Sequence, residues 1–243
     1  MINPLNPVVE NERIGFHKME KLKDFYNRYK HGIPLLLYGI IYLTWFSWLE
    51  GANRKDYQII HVDLDDYIPF LEIFVVPYFL WFAYVSIVVL FLFLKNKQEF
   101  NRACVFLFTG MTIFLIISTL WPNGHHLRNT VTLGDNIFAQ MVSFLWKADT
   151  PTNLWPSIHV YNSLGAHFAV IRSAELENKR GIKAASGVLA VSIILSTMFI
   201  KQHSVFDVLT GIALGTLMYA LVYRRDVVTA ARTQGRMKRR ISI

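Results

Sequence analysis

The chain has 243 residues, 53% of them hydrophobic and 14% aromatic against 17% charged, whereas soluble domains carry roughly 25% charged residues; an ordinary soluble protein and a disordered one are both excluded. The net charge of +8 invites a nucleic-acid reading, but that needs basic residues gathered on a soluble surface. Here they stand between apolar runs, so no nucleic-acid partner is expected, and a single cysteine, Cys104, excludes an internal disulfide and a multi-cysteine zinc site.

Residues 1–31 are polar and basic, and the apolar run that follows, 32–49, is too long for the core of a cleavable signal peptide. It is read as a first membrane-spanning helix that the mature protein keeps. In the next loop, 51–72, "HVDLDDYIPF" places Asp63, Asp65 and Asp66 close together like half of a calcium loop, but no glycine or distal Glu follows at EF-hand spacing. A solvated outer turn is expected there. Runs 73–94 and 103–121 are long and apolar enough to span a bilayer. Segment 135–146 then sets Ile137, Phe138, Met141, Val142 and Leu145 at a helical period, predicting an amphipathic helix on the outer leaflet or dipping into it. Three shorter runs follow, 154–171, 184–200 and 208–223, the first kept whole only by burying His159 and His167. The tail, 224–243, ends in the basic run "RMKRR".

The expected fold is therefore all-α: a six-transmembrane helix bundle with an interfacial amphipathic helix before the fourth span. Its parts are a cytoplasmic segment 1–31, a membrane domain 32–223 and a basic cytoplasmic tail 224–243. With the N-terminus in the cytoplasm, 20 of the 25 basic residues fall on the inner side and Arg54, Lys55, Arg128, Lys147 and Lys201 on the outer side. Cytoplasmic loops retain Lys and Arg, so this bias fixes the orientation and explains the basic charge by topology alone. A multi-pass protein of the cell membrane is expected, with its site on the extracytoplasmic face.

Ionisable groups are costly near a membrane and mark functional sites, and histidines crowd on the outer side. His203 and Asp207, four residues apart at the start of the last span, share one helix face. A carboxylate on one imidazole nitrogen fixes the tautomer and leaves the other nitrogen as a nucleophile. A helix-capping Asp beside a nearby His accounts for that spacing alone equally well. His159, in "WPSIHV", stands at a helix start, where free backbone N–H groups favour anions; it can bond a phosphate or protonate its leaving group. Arg128, in "WPNGHHLRNT", can grip phosphate oxygens with its guanidinium fork. Two histidines, an Asp and an Arg are the parts of phosphoryl transfer through a phosphohistidine.

From about Trp121 to Gly215 the sequence resembles the type-2 phosphatidic acid phosphatase superfamily, whose motifs are K-x6-R-P, P-S-G-H and S-R-x5-H-x3-D. The third reads "STMFIKQHSVFD" from Ser196 to Asp207, the second "PSIH" from Pro156 to His159, and the first survives as Arg128. The resemblance implies a six-helix membrane core in which His203 attacks phosphorus, Asp207 orients it, His159 protonates the leaving oxygen, and Arg128 and Ser157 hold the phosphate beside Ser196. Trp121 stands where the family has Lys, Asn129 where it has Pro, Ile158 where it has Gly and Thr197 where it has Arg. Two cationic ligands are missing, and Lys201, His125 or His126 is the candidate substitute. The implied function is hydrolysis of an amphiphilic lipid phosphate or pyrophosphate at the outer face, with no metal and no cofactor. Headgroup transfer of the sphingomyelin-synthase kind is the alternative, and a non-enzymatic lipid-binding or carrier protein is the third reading.

Overall fold

The computed structural model describes residues 19–51 and 56–241. Residues 1–18 of the expected cytoplasmic segment, the outer-loop residues Arg54 and Lys55, and residues 242–243 lie outside it. Contacts divide the chain into two units, 1–40 and 41–243. In the first, residues 19–29 are helical and lead through a 3-10 turn, Lys30–Gly32, into helix α1, Ile33–Gly51, which runs on into the second.

The second unit is built from α2 (Val75–Lys95), α3 (Lys97–Leu120), α4 (Ile137–Ala148), α5 (Ile158–Arg172), α6 (Arg180–Phe199) and α7 (Val205–Ile241). Asn96 alone separates α2 from α3: its extended backbone ends the first helix, and its side chain accepts from the N–H groups of Gln98 and Glu99, both at 3.1 Å, to cap the second. Among the described residues five helical segments are long and apolar enough to cross a membrane: Met19–Gly51, Glu72–Lys95, Lys97–Leu120, Arg180–Phe199 and Val205–Tyr223.

The span expected over 154–171 is a helix of only 15 residues, Ile158–Arg172, or about 22 Å at 1.5 Å per residue against a hydrocarbon core of about 30 Å. It differs from the others because it packs against α2, α3, α6 and α7 and buries Asn162 and Ser163 together with its apolar residues. It still runs the length of the bundle: His159 at its start meets His203, while Ala174, just past its end, donates to Glu99 Oε1 at 2.9 Å beside the start of α3. His167, on the same helix, lies 3.1 Å from Ser186 Oγ of α6, which is itself 2.6 Å from the Tyr84 hydroxyl of α2. A polar, protein-covered helix forgoes the uniform apolarity that lipid exposure demands.

Helices α3 and α5 interlock through two glycines. Phe106 and Tyr161 stack at 4.6 Å, and the Tyr161 hydroxyl donates to the Phe106 carbonyl at 2.7 Å. A Cβ on Gly110 would stand 2.1 Å from the Tyr161 ring, and one on Gly165 would stand 2.6 Å from Phe106. Gly110→Ala is therefore expected to cost about 1–3 kcal/mol as an overpacked core, read as thermal denaturation in detergent. Gly181→Ala, where a Cβ meets no described atom within 4 Å, should show no such loss.

The amphipathic helix expected over 135–146 is α4. Asn136 caps it by accepting from the Ala139 N–H at 2.9 Å, Ala139 is buried, and Val142 and Leu145 cluster with Val75, Tyr78 and Ile200. Ile137 and Phe144 stay 62% and 67% exposed. An all-α reading omits one feature: a two-residue parallel pair, β1 (Gln58–Ile59) with β2 (Asn123–Gly124). Gly124 permits it, since a Cβ there would stand 2.5 Å from the Pro151 carbonyl and 2.7 Å from Tyr57. This pair ties the 56–60 loop to the segment after α3, at the end of the bundle that holds the candidate site.

Candidate active site

The turn between α6 and α7 is held from within: the N–H groups of Gln202 and His203 both donate to the Thr197 carbonyl, at 2.9 and 3.0 Å. Helix α7 then begins against two carboxylates. Asp207 Oδ2 accepts from the Ser204 N–H at 3.0 Å, while Asp65 accepts from the Val205 N–H at 2.8 Å, the Ser204 hydroxyl at 2.7 Å and the Val62 N–H at 3.0 Å. Asp65 is thus 2% exposed, where the sequence reading gives it a solvated turn; backbone N–H groups at a helix start reward a buried carboxylate.

On this turn His203 Nδ1 stands 3.4 Å from Asp207 Oδ2, with the two side chains 5% and 0% exposed. His203 Nε2 stands 3.3 Å from Nδ1 of His159, the second residue of α5. The His159 ring is fixed by Tyr78 and Trp81 of α2, at 4.7 and 4.4 Å between centroids. Three groups from two distant segments form one file: carboxylate, imidazole, imidazole. Burial first, then the positive charge of Arg128, pushes the His203 imidazole down to about 3 and favours its neutral form.

Arg128 donates to the Asp149 carbonyl at 2.7 Å, the Trp146 carbonyl at 3.4 Å and Gln202 Oε1, with its guanidinium 5.5 Å from the Trp146 ring centre. The Tyr78 hydroxyl donates to Asp149 Oδ2 at 3.1 Å, and burial pushes that carboxyl up to about 6 against the pull of Arg128. His125 receives the Leu127 N–H on Nδ1 and turns Nε2 to the Gln202 carbonyl, at 3.3 and 3.0 Å. A neutral tautomer is fixed by those two partners, and burial lowers the group to about 4. His125 therefore brings no charge, and His126 is exposed.

The remaining expected ligands are placed as follows. Ser157 caps α5, its hydroxyl accepting from the Val160 N–H at 3.4 Å, and its own N–H donates to the Asp207 carbonyl at 3.3 Å. It thereby joins the start of α5 to that of α7. The Ser196 hydroxyl donates back to the Ile193 carbonyl at 2.6 Å within α6. Lys201, at φ 54°, donates from Nζ to the carbonyls of Asp65 and Ile68 at 3.0 and 2.7 Å. The structure thus brings together His159, His203 and Asp207, joins Arg128 to them through Gln202, and gives Ser196 and Lys201 to backbone carbonyls. Trp121, in place of the family's lysine, meets the Trp155 ring edge-on at 5.1 Å. Among the described residues no group of three or more His, Cys, Asp or Glu side chains is placed to hold a metal ion.

Sequence reasoning misses Gln202 and Asp65. Gln202 sits inside "KQHSVFD", and its position next to His203 is the one signal for it; Asp65 has none, because its partners lie about 140 residues away in the chain.

No curated protein and no solved structure matches the chain. The family model of the PAP2 superfamily matches residues 134–228. That stretch, which holds α4 through the start of α7 with His159, His203 and Asp207, is similar to the PAP2 superfamily.

Proposed function

We propose that the protein is an integral membrane phosphatase that hydrolyses a lipid phosphate or pyrophosphate, of the phosphatidic acid or isoprenoid pyrophosphate type, through a phosphohistidine on His203. The match of residues 134–228 to the PAP2 superfamily model and the five membrane-length helices among the described residues support a phosphatase-type membrane protein. The observation that carries the finer reading is the file Asp207–His203–His159, with gaps of 3.4 and 3.3 Å.

In this mechanism Asp207 holds the proton on His203 Nδ1, and Nε2 attacks phosphorus. The P–N bond forms as the P–O bond to the lipid breaks, and His159 gives its proton to the departing oxygen. Water then loses a proton to His159 and attacks phosphorus, releasing phosphate and restoring His203. Arg128 and Ser157 hold the phosphoryl oxygens. His203 Nε2 and His159 Nδ1 face each other at 3.3 Å, so substrate must part the two imidazoles to bring both nitrogens to the reacting group.

The assignment of His159 has a test of its own. His159→Ala is expected to slow a lipid phosphate by about 10²–10⁴-fold, the range of general acid catalysis, and to spare an activated aryl phosphate whose leaving group needs no proton. Equal loss on both substrates removes the leaving-group role.

The site is assigned to the extracytoplasmic face and both termini to the cytoplasm, supported by the 20-to-5 basic bias and by α5 running the length of the bundle as a sixth crossing helix. The exposed face of α4 lies in the outer interface. A Cys at exposed His126 is expected to react with an impermeant reagent added outside intact cells and a Cys at exposed Glu177 only after lysis. The reverse pattern would invert the topology.

A further inference from the structure

The side chain of Gln202 is 1% exposed and clamped on every side but one. Its N–H and carbonyl are held by Thr197 and His125. Arg128 donates to Oε1, which fixes the amide's orientation, since a guanidinium offers donors alone. Nε2, with two N–H donors, is buried and has no partner among the described residues. Arg128 Nε is in the same condition. Buried donors are rarely left unpaired, and these two flank one Arg–Gln contact, one residue from His203.

The charges around that contact are also particular. From the 122–130 segment come Arg128 and His125, the latter held neutral by its two partners. Asp149 follows α4, Asp207 lies on α7, Asp65 on the 60–71 loop, Glu50 at the end of α1, and the Tyr78 hydroxyl bonds Asp149. Lys201 turns its ammonium to the carbonyls of Asp65 and Ile68. The Arg128 guanidinium thus lies near the carboxyl groups of Asp149 and Glu50, and the donor beside it is a neutral amide.

Resting on the phosphoryl-transfer reading above, we propose that the Gln202 amide is a ligand of the bound phosphoryl group. Together with Arg128 it fits the site to a phosphate carrying one negative charge, a phosphodiester or a monoester monoanion, over a dianion. With a diester, His203 Nε2 bonds phosphorus as one ester P–O bond breaks. His159 protonates that oxygen, and the second ester stays on phosphorus throughout, so that water displacing the histidine breaks the P–N bond and releases a phosphate monoester.

The test compares the intact purified protein on dihexanoyl phosphatidic acid, whose second ionisation lies at a pH of about 6 like other phosphate monoesters, and on its methyl diester, singly charged throughout. Above the second ionisation, kcat/KM for the monoester is expected to fall about tenfold per pH unit relative to the diester. Asp149, which titrates near the same pH, is controlled with Asp149→Asn, in which the fall should persist. Gln202→Met should lower both substrates by about 10- to 100-fold, the loss of a hydrogen bond to a charged group. Gln202→Lys should flatten the monoester profile and raise monoester over diester at pH 8. A wild-type monoester profile that is flat or rises with pH would overturn the proposal without needing any variant to fold. Phosphoenzyme formation in the same preparation keeps the two readings apart: present with a flat profile, only the Gln202 proposal falls; absent on both substrates, the phosphohistidine reading falls with it.

Discussion

His203→Ala is expected to bring turnover of a lipid phosphate to background, a loss on the order of 10⁶-fold, as removal of the attacking residue does in a covalent hydrolase. In the proposed mechanism its Nε2 is the attacking atom, and it stands 3.3 Å from Nδ1 of His159, the residue assigned the proton. The change should spare the fold. The turn is held by backbone bonds of Gln202 and His203 to Thr197 and by Asp65 on Ser204 and Val205, none of which uses the imidazole. Phosphate release measured beside a thermal denaturation curve in detergent separates lost chemistry from lost structure. A folded variant that keeps a tenth of wild-type turnover would remove His203 as nucleophile.

Asp207→Asn should cost about 10⁴-fold in kcat, as in a comparable catalytic triad, and for a different reason. Its Oδ2 accepts from the Ser204 N–H and stands 3.4 Å from His203 Nδ1. Asn preserves the shape but removes the charge that stabilises the phosphorylated imidazole, and its amide N–H can seat the opposite tautomer with Nε2 blocked by a proton. The loss should appear in kcat with KM little changed, because Arg128, Ser157 and the lipid contacts remain. A rise in KM with kcat intact would place Asp207 in substrate binding instead.

What the sequence made legible was local. Apolar runs foretold five membrane-length helices, the 3.6-residue period of 135–146 foretold α4, and the i, i+4 spacing foretold the meeting of His203 with Asp207. The fourth run was read as one more span, and the burial of His159 and His167 was the clue to its special place. Its 15 residues pack against α2, α3, α6 and α7. Phosphate ligands were harder to foresee. Lys201 carries the right charge next to the right motif, yet its backbone takes a left-handed turn and its ammonium answers carbonyls of the 60–71 loop. Asp65 looked solvated because its neighbours are polar; its partners, Ser204 and Val205, are distant in the chain and only the fold brings them near. Gln202 is the reverse case, a neutral residue whose value comes from Arg128 fixing one half of its amide and leaving the other half open.

The most direct test of the central claim is to trap the intermediate. The purified protein is mixed briefly with a lipid phosphate labelled in its phosphoryl group, quenched in alkali, which preserves phosphohistidine, and digested to locate the label. Label on His203 in the wild type, lost in acid and missing from His203→Ala, is the predicted result. Steady phosphate release with no label on His203, or label undiminished in His203→Ala, would contradict it.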